Sequence, residues 1–96
     1  MRVMITGAAG FLGRRLTNAI LKRGTLSDAD GRERQVSKLY LVDLVDVPIP
    51  RDAGVEIKLI KGDLADPGFV KSLCETDFDS LFHMASFLTF RAEQDP

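Results

Sequence analysis

The sequence predicts an α/β fold of about four parallel strands flanked by helices, half of a doubly wound sheet. Three observations lead there. Short apolar runs alternate with helix-period segments along the chain. The first run passes directly into the glycine-rich turn Thr6-Gly7-Ala8-Ala9-Gly10-Phe11-Leu12-Gly13. The length of 96 residues leaves room for one small domain. Strand–helix alternation implies right-handed crossovers. Numbering the strands along the chain, the expected spatial order is 3-2-1-4.

Residues 2–6 form the first strand, with the apolar run Val3-Met4-Ile5 ending at Thr6-Gly7. A helix is expected from Gly10 onward. Leu12, Leu16, Ala19 and Ile20 fall at i, i+4, i+7 and i+8, one apolar face. Lys22 and Arg23 occupy its last turn, where cations suit the helix dipole, and Gly24 follows as C′. Residues 25–37 are polar and read as a long surface loop. Lys38 to Asp43 is the second strand. Pro48 and Pro50 then make 44–54 a loop. Val55 to Ile60 is the third strand. Asp66 and Pro67 open a second helix as N-cap and first helical residue; it carries Phe69, Val70 and Leu73 and ends near Glu75. Ser80 to Ala85 is the fourth strand.

Composition narrows the function classes. Hydrophobic residues make up 45% and charged residues 28%, which argues for a folded chain. Thirteen basic and 14 acidic residues leave a net charge of −1, with no basic stripe for nucleic acid. Arg14-Arg15 and Arg32-Glu33-Arg34 read as solvated faces. No apolar run reaches the ~18–20 residues of a membrane span. The start, Met1-Arg2-Val3-Met4, lacks a signal-peptide pattern, so cytoplasmic residence is expected. Cys74 has no partner for an internal disulfide.

The glycine turn suits a pyrophosphate, which needs backbone N–H donors, a positive field and no side chain in the way. Gly7 makes the turn at positive φ, Gly10 lets the backbone approach the phosphates, and Gly13 lets the helix pack closely on the sheet. The backbone of Ala9, Phe11 and Leu12 belongs to the same cradle. The spacing is Gly-x-x-Gly-x-x-Gly rather than Gly-x-Gly-x-x-Gly. Asp43, at the end of the second strand, is placed to accept hydrogen bonds from the adenosine ribose. Its charge would repel a 2′-phosphate, which favours NAD over NADP. Asp46 is a rival for that role. Asp63, after the third strand, is expected near the adenine amino group, with Leu64 against the ring.

Together these residues resemble the extended short-chain dehydrogenase/reductase family of NAD-dependent epimerases and dehydratases. The glycine turn matches its Thr-Gly-x-x-Gly-x-x-Gly loop, and Gly62-Asp63-Leu64 its adenine-contacting segment. Phe82-His83-Met84-Ala85-Ser86 is similar to its His-hydrophobic-Ala-Ala motif, with Ser86 in place of the second alanine. The polar segment after Gly24 and Gly62-Asp63-Leu64-Ala65-Asp66-Pro67 are similar to those of the branch that oxidises a four-carbon sugar acid. The resemblance implies a partial Rossmann fold that binds NAD, with Met84, Ala85 and Ser86 near the cofactor. It also implies a longer enzyme whose catalytic Tyr-x-x-x-Lys is absent here. The one tyrosine is Tyr40, and Leu44 stands four residues later.

The chain is therefore expected to be an N-terminal, NAD-binding fragment, inactive alone. A sugar or sugar acid would be the substrate of the full-length enzyme only. A different class also fits: a non-catalytic module that senses the dinucleotide or keeps the half-fold as an interaction surface. His83 is expected to be structural and Cys74 a packing or surface residue. Phe87-Leu88-Thr89-Phe90 reads as core whose cover lies outside the chain. An open sheet edge invites homodimerisation or other self-association.

Overall fold

A computed structural model describes residues 1–47, 49 and 54–84. Its central strand is β1 (Arg2–Thr6). On one side β1 pairs in parallel with β4 (Lys38–Asp43), and on the other with β6 (Ser80–His83). β5 (Glu56–Lys61) lies outside β4, giving the order β5-β4-β1-β6. This is the expected 3-2-1-4 arrangement of the four predicted strands.

Alternate residues of the central strands feed two cores. Val3, Ile5, Leu39 and Leu41 pack with Ile20 of α1 (Phe11–Arg23). Met4, Tyr40 and Val42 pack with Leu73 of α2 (Pro67–Cys74), backed by Phe69 and Phe78. The helices therefore cover opposite faces. Strands buried on both faces need continuous apolar runs, which Val3-Met4-Ile5 and Leu39-Tyr40-Leu41-Val42 provide.

The buried stripe of α1 differs from the expected one. Gly13, Thr17 and Ile20 are buried and Leu16 is half-buried, while Leu12 and Ala19 are exposed. The cause is the contact at Gly13, where an added Cβ would stand 2.8 Å from the Ala8 Cα. That approach sets the rotation of the helix, and Thr17 and Ile20 follow one and two turns later. The Thr17 hydroxyl donates to the Gly13 carbonyl at 2.8 Å, so its burial leaves no open donor. Gly24 ends the helix as expected, with φ 76° and its N–H on the Ile20 carbonyl.

Residues 25–37 are not a plain loop. They contain an antiparallel hairpin of β2 (Thr25–Ser27) and β3 (Glu33–Gln35). Asp28 closes its turn by accepting from the Asp30 and Arg32 amides at 2.9 and 3.0 Å. Arg23 pairs with Glu33, and the Met1 amino group donates to the Gln35 carbonyl. Polarity obscures the hairpin because turn bonds and ion pairs, with buried Val36 beside them, hold it rather than an alternating apolar face.

Smaller differences concern ends and faces. The third predicted strand runs Glu56–Lys61 instead of 55–60. The fourth ends at His83, and Met84 already turns helical. Ala85, Ser86 and Phe87–Phe90 lie outside the described residues. In α2, Asp66 caps as expected by accepting the Gly68 amide at 2.9 Å. Leu73 is buried, but Val70 is exposed, because a two-turn helix offers one stripe to the sheet.

Candidate functional site

The glycine turn, Asp43, Gly62-Asp63 and His83 all lie at or just beyond the carboxyl ends of parallel strands. The chain order reverses between β1 and β6, and crevices at such reversals hold ligands in open α/β sheets.

The turn is built from backbone ties. Gly7 has φ 70°, and its amide and that of Ala8 both donate to the Val42 carbonyl, at 2.9 and 3.2 Å. Ala8 has no solvent exposure, being covered at Gly13. The Ala9 amide donates to Asp43 Oδ2 at 2.9 Å. Gly10 is the N-cap of α1, extended at φ −72°, with no side-chain cap. The Arg14 amide closes the first helical bond onto the Gly10 carbonyl. The amides of Phe11, Leu12 and Gly13 therefore begin the helix without intrahelical acceptors. α2 has its N-cap carboxylate; α1 has only the open turn.

The three glycines have separate duties. Gly7 needs positive φ, and Gly13 needs the missing Cβ for close packing. Gly10 needs neither: a Cβ there would meet only the Gly7 carbonyl oxygen, at an ordinary 3.4 Å. The absent side chain keeps the mouth of the turn clear. Phe11 is 72% exposed beside it, with the Arg15 guanidinium 5.5 Å from its ring centroid.

Asp43 links the site's segments. Oδ1 accepts the Leu44 amide at 2.7 Å, and the main-chain carbonyl accepts the Gly62 amide at 3.0 Å. Oδ1 also receives the Val45 amide at 3.4 Å, so of the roughly four acceptor positions of an ionised carboxylate about one is left open. Asp46 is exposed and pairs with Lys61 at 3.5 Å. Asp63 is exposed; its Oδ1 accepts the Ala65 amide at 2.8 Å. Leu64 is half-buried against the Met4–Tyr40–Val42 core, so only part of its side chain is left to face a ligand. Met84 is half-buried against the α1-side core.

Two contacts at the site were not expected from the sequence. Thr6, 3% exposed, shares a 2.5 Å hydrogen bond with His83 Nδ1 across the β1–β6 pair. Phe69 packs against Gly62. The strand-end positions of Thr6 and His83 were the available signal for the first; the Gly62–Phe69 contact had none. Ionic perturbations also occur at the amino-terminal ends of the sheet's strands. There the Arg2 amide and guanidinium hold the Asp79 carboxyl below its ordinary range. Glu56 likewise holds the Lys38 ammonium above its usual value. Among the described residues, no His, Cys, Asp and Glu group is arranged to hold a metal, and no helix is long and apolar enough to cross a membrane.

An uncapped helix start behind a glycine mouth, flanked by a strand-end carboxylate, has the donor arrangement that anion sites of doubly wound folds use. Residues 3–95 match the NAD dependent epimerase/dehydratase family, and the chain belongs to that family. It is 39% identical over 95 residues to D-erythronate dehydrogenase from Cupriavidus necator, covering 99% of this chain and 28% of that protein. The nucleoside-diphosphate-sugar epimerase of Agrobacterium tumefaciens superposes with TM-score 0.75 at 34% identity, over 86% of this chain and 23% of that one. A mutant uronate dehydrogenase from the same organism, complexed with NAD, superposes with TM-score 0.62 at 25% identity, over 86% and 25% of the two chains. The chain thus spans less than a third of the length of these relatives.

Proposed function

We propose that this chain is the adenosine- and pyrophosphate-binding portion of an NAD-dependent dehydrogenase or epimerase acting on sugar acids or nucleotide sugars. The observation that carries the reading is Gly10. The fold does not require glycine there, yet a side chain would close the mouth over the uncapped start of α1. The pyrophosphate takes the amides at that start. Asp43 accepts from the adenosine ribose, Asp63 and Leu64 meet the adenine, and the segment Met84-Ala85-Ser86 passes the nicotinamide side. Asp43 disfavours a 2′-phosphate, so NAD is preferred over NADP.

The NAD-bound uronate dehydrogenase supports the cofactor, and the D-erythronate dehydrogenase relative favours a small sugar acid as substrate. The nicotinamide supplies hydride chemistry when bound. These 96 residues alone do not turn over substrate: Tyr40 is 7% exposed in the core, and Leu44 stands where a Tyr-x-x-x-Lys pair would have its lysine. Self-association through β6 belongs to the same reading, supported by its having one strand neighbour among the described residues and by Leu81, 49% exposed.

Calorimetry with NAD and NADP tests the reading. The expected result is saturable NAD binding, weaker NADP binding, and loss of both in Gly10→Ser. No binding at millimolar NAD, or undiminished binding by Gly10→Ser, would overturn it. NADH formation by the 96-residue chain with a sugar acid would refute its inactivity.

A further inference from the structure

Asp43 makes a contact that ribose recognition does not require. Its Oδ2 accepts the Ala9 amide at 2.9 Å, bridging 34 residues of sequence. The other amides of the turn are held by main chain: Gly7 and Ala8 by the Val42 carbonyl, and Gly10 by the Gly7 carbonyl. Ala9 is held by a side chain, and that side chain is an anion. A carboxylate beside an anion cradle opposes the incoming ligand by Coulomb repulsion. Its presence there calls for a compensating contribution.

We propose that Asp43 is a positioning residue for the pyrophosphate turn, acting before any ribose arrives. This rests on the proposed cofactor reading. One oxygen anchors Ala9, the other anchors Leu44, and the main-chain carbonyl holds Gly62. Oδ1 also receives the Val45 amide at 3.4 Å, so the two oxygens meet three donors from two separate segments, which one amide oxygen of asparagine would not do. Fixing the Ala9 peptide fixes Gly10, and with it the direction in which α1 begins. The ordering entropy of the turn is then met during folding rather than on binding, which raises affinity for whatever anion the turn takes.

The two roles of Asp43 separate with a ligand that has no ribose. Inorganic pyrophosphate is the probe, titrated against the wild-type chain and Asp43→Ala at fixed ionic strength. Charge alone makes Asp43→Ala bind pyrophosphate more tightly. Positioning makes it bind more weakly, by roughly tenfold, the scale of one charge-assisted hydrogen bond. Amide exchange supplies the second readout. In Asp43→Ala, Ala9 and Gly10 should lose protection while Leu39 and Leu41 keep theirs.

If Asp43→Ala does not fold, the wild-type chain still decides the matter. A through-hydrogen-bond coupling between the Ala9 amide nitrogen and the Asp43 carboxylate carbon is expected, and its absence overturns the proposal. Unchanged or tighter pyrophosphate binding by a folded Asp43→Ala also overturns it. Wild-type chain that binds neither pyrophosphate nor NAD would sink the cofactor reading as well. Wild-type binding with tighter binding by the variant sinks only the positioning role.

Discussion

The ring of Phe69 lies on the backbone of Gly62: a Cβ there would fall 2.5 Å from two of the ring's carbons. Gly62 also donates its amide to the Asp43 carbonyl, so this contact braces the carboxyl ends of β4 and β5. Gly62→Ala should destabilise by about 1–3 kcal/mol, the usual cost of overpacking. Phe69→Leu in the same chain should recover part of that loss. Urea unfolding of the two single variants and the pair measures the coupling, and strict additivity would show that the contact does not matter.

Gly10 and Gly13 should separate stability from binding. Alanine at Gly13 meets the Ala8 backbone, which cannot swing aside, so Gly13→Ala should lower the melting temperature clearly. Serine at Gly10 has room and is at least as good an N-cap as glycine, so Gly10→Ser should melt within a few tenths of a kcal/mol of wild type, or above it. Thermal melts beside NAD titrations check both halves. A strongly destabilised Gly10→Ser would contradict the claim that the fold leaves this position free.

Acid should weaken the amino-terminal edge of the sheet. The Asp79 carboxyl is held low chiefly by accepting the Arg2 amide, and also by the charges of Arg2, Arg34 and the N-terminus. The fold therefore favours the ionised form. This contribution is complete above the ordinary carboxylate range and is lost as pH falls through the lowered folded value. Melting temperature followed downward from pH 6 should fall less steeply for Asp79→Asn than for wild type. Parallel curves would remove Asp79 from the acid response.

The β2–β3 hairpin should be separable from the cofactor site. Asp28→Ala removes the acceptor for two turn amides, so the Asp30 and Arg32 amides should exchange faster. NAD affinity should stay within about twofold, since each tenfold requires about 1.4 kcal/mol and the hairpin joins β4 at its far end. A large affinity loss in Asp28→Ala would mean that the hairpin supports the site.

Much of the site was legible because its residues carry local signals. The glycine turn follows a buried strand, Asp43 ends a strand, and Asp66-Pro67 reads as a cap. Each of these signals lies within a few residues of sequence. The hairpin escaped because its stability comes from Asp28 turn bonds, the Arg23–Glu33 pair and buried Val36, none of which makes a periodic pattern. The buried stripe of α1 escaped because periodicity gives the width of a face and not its absolute rotation. The partners of the two rival carboxylates, Ala9 for Asp43 and Lys61 for Asp46, were equally out of reach of local spacing.

Sequence alone thus determined the α/β class, the strand order, the glycine-rich strand-to-helix turn and the family resemblance, because short-range spacing and hydrophobic period encode them. Tertiary structure alone decided which atoms meet: Ala9 with Asp43 across 34 residues, Thr6 with His83 across two strands, Gly62 with Phe69 across a turn. Those contacts depend on register and on how closely a helix approaches a sheet, and both are set by packing the whole chain at once.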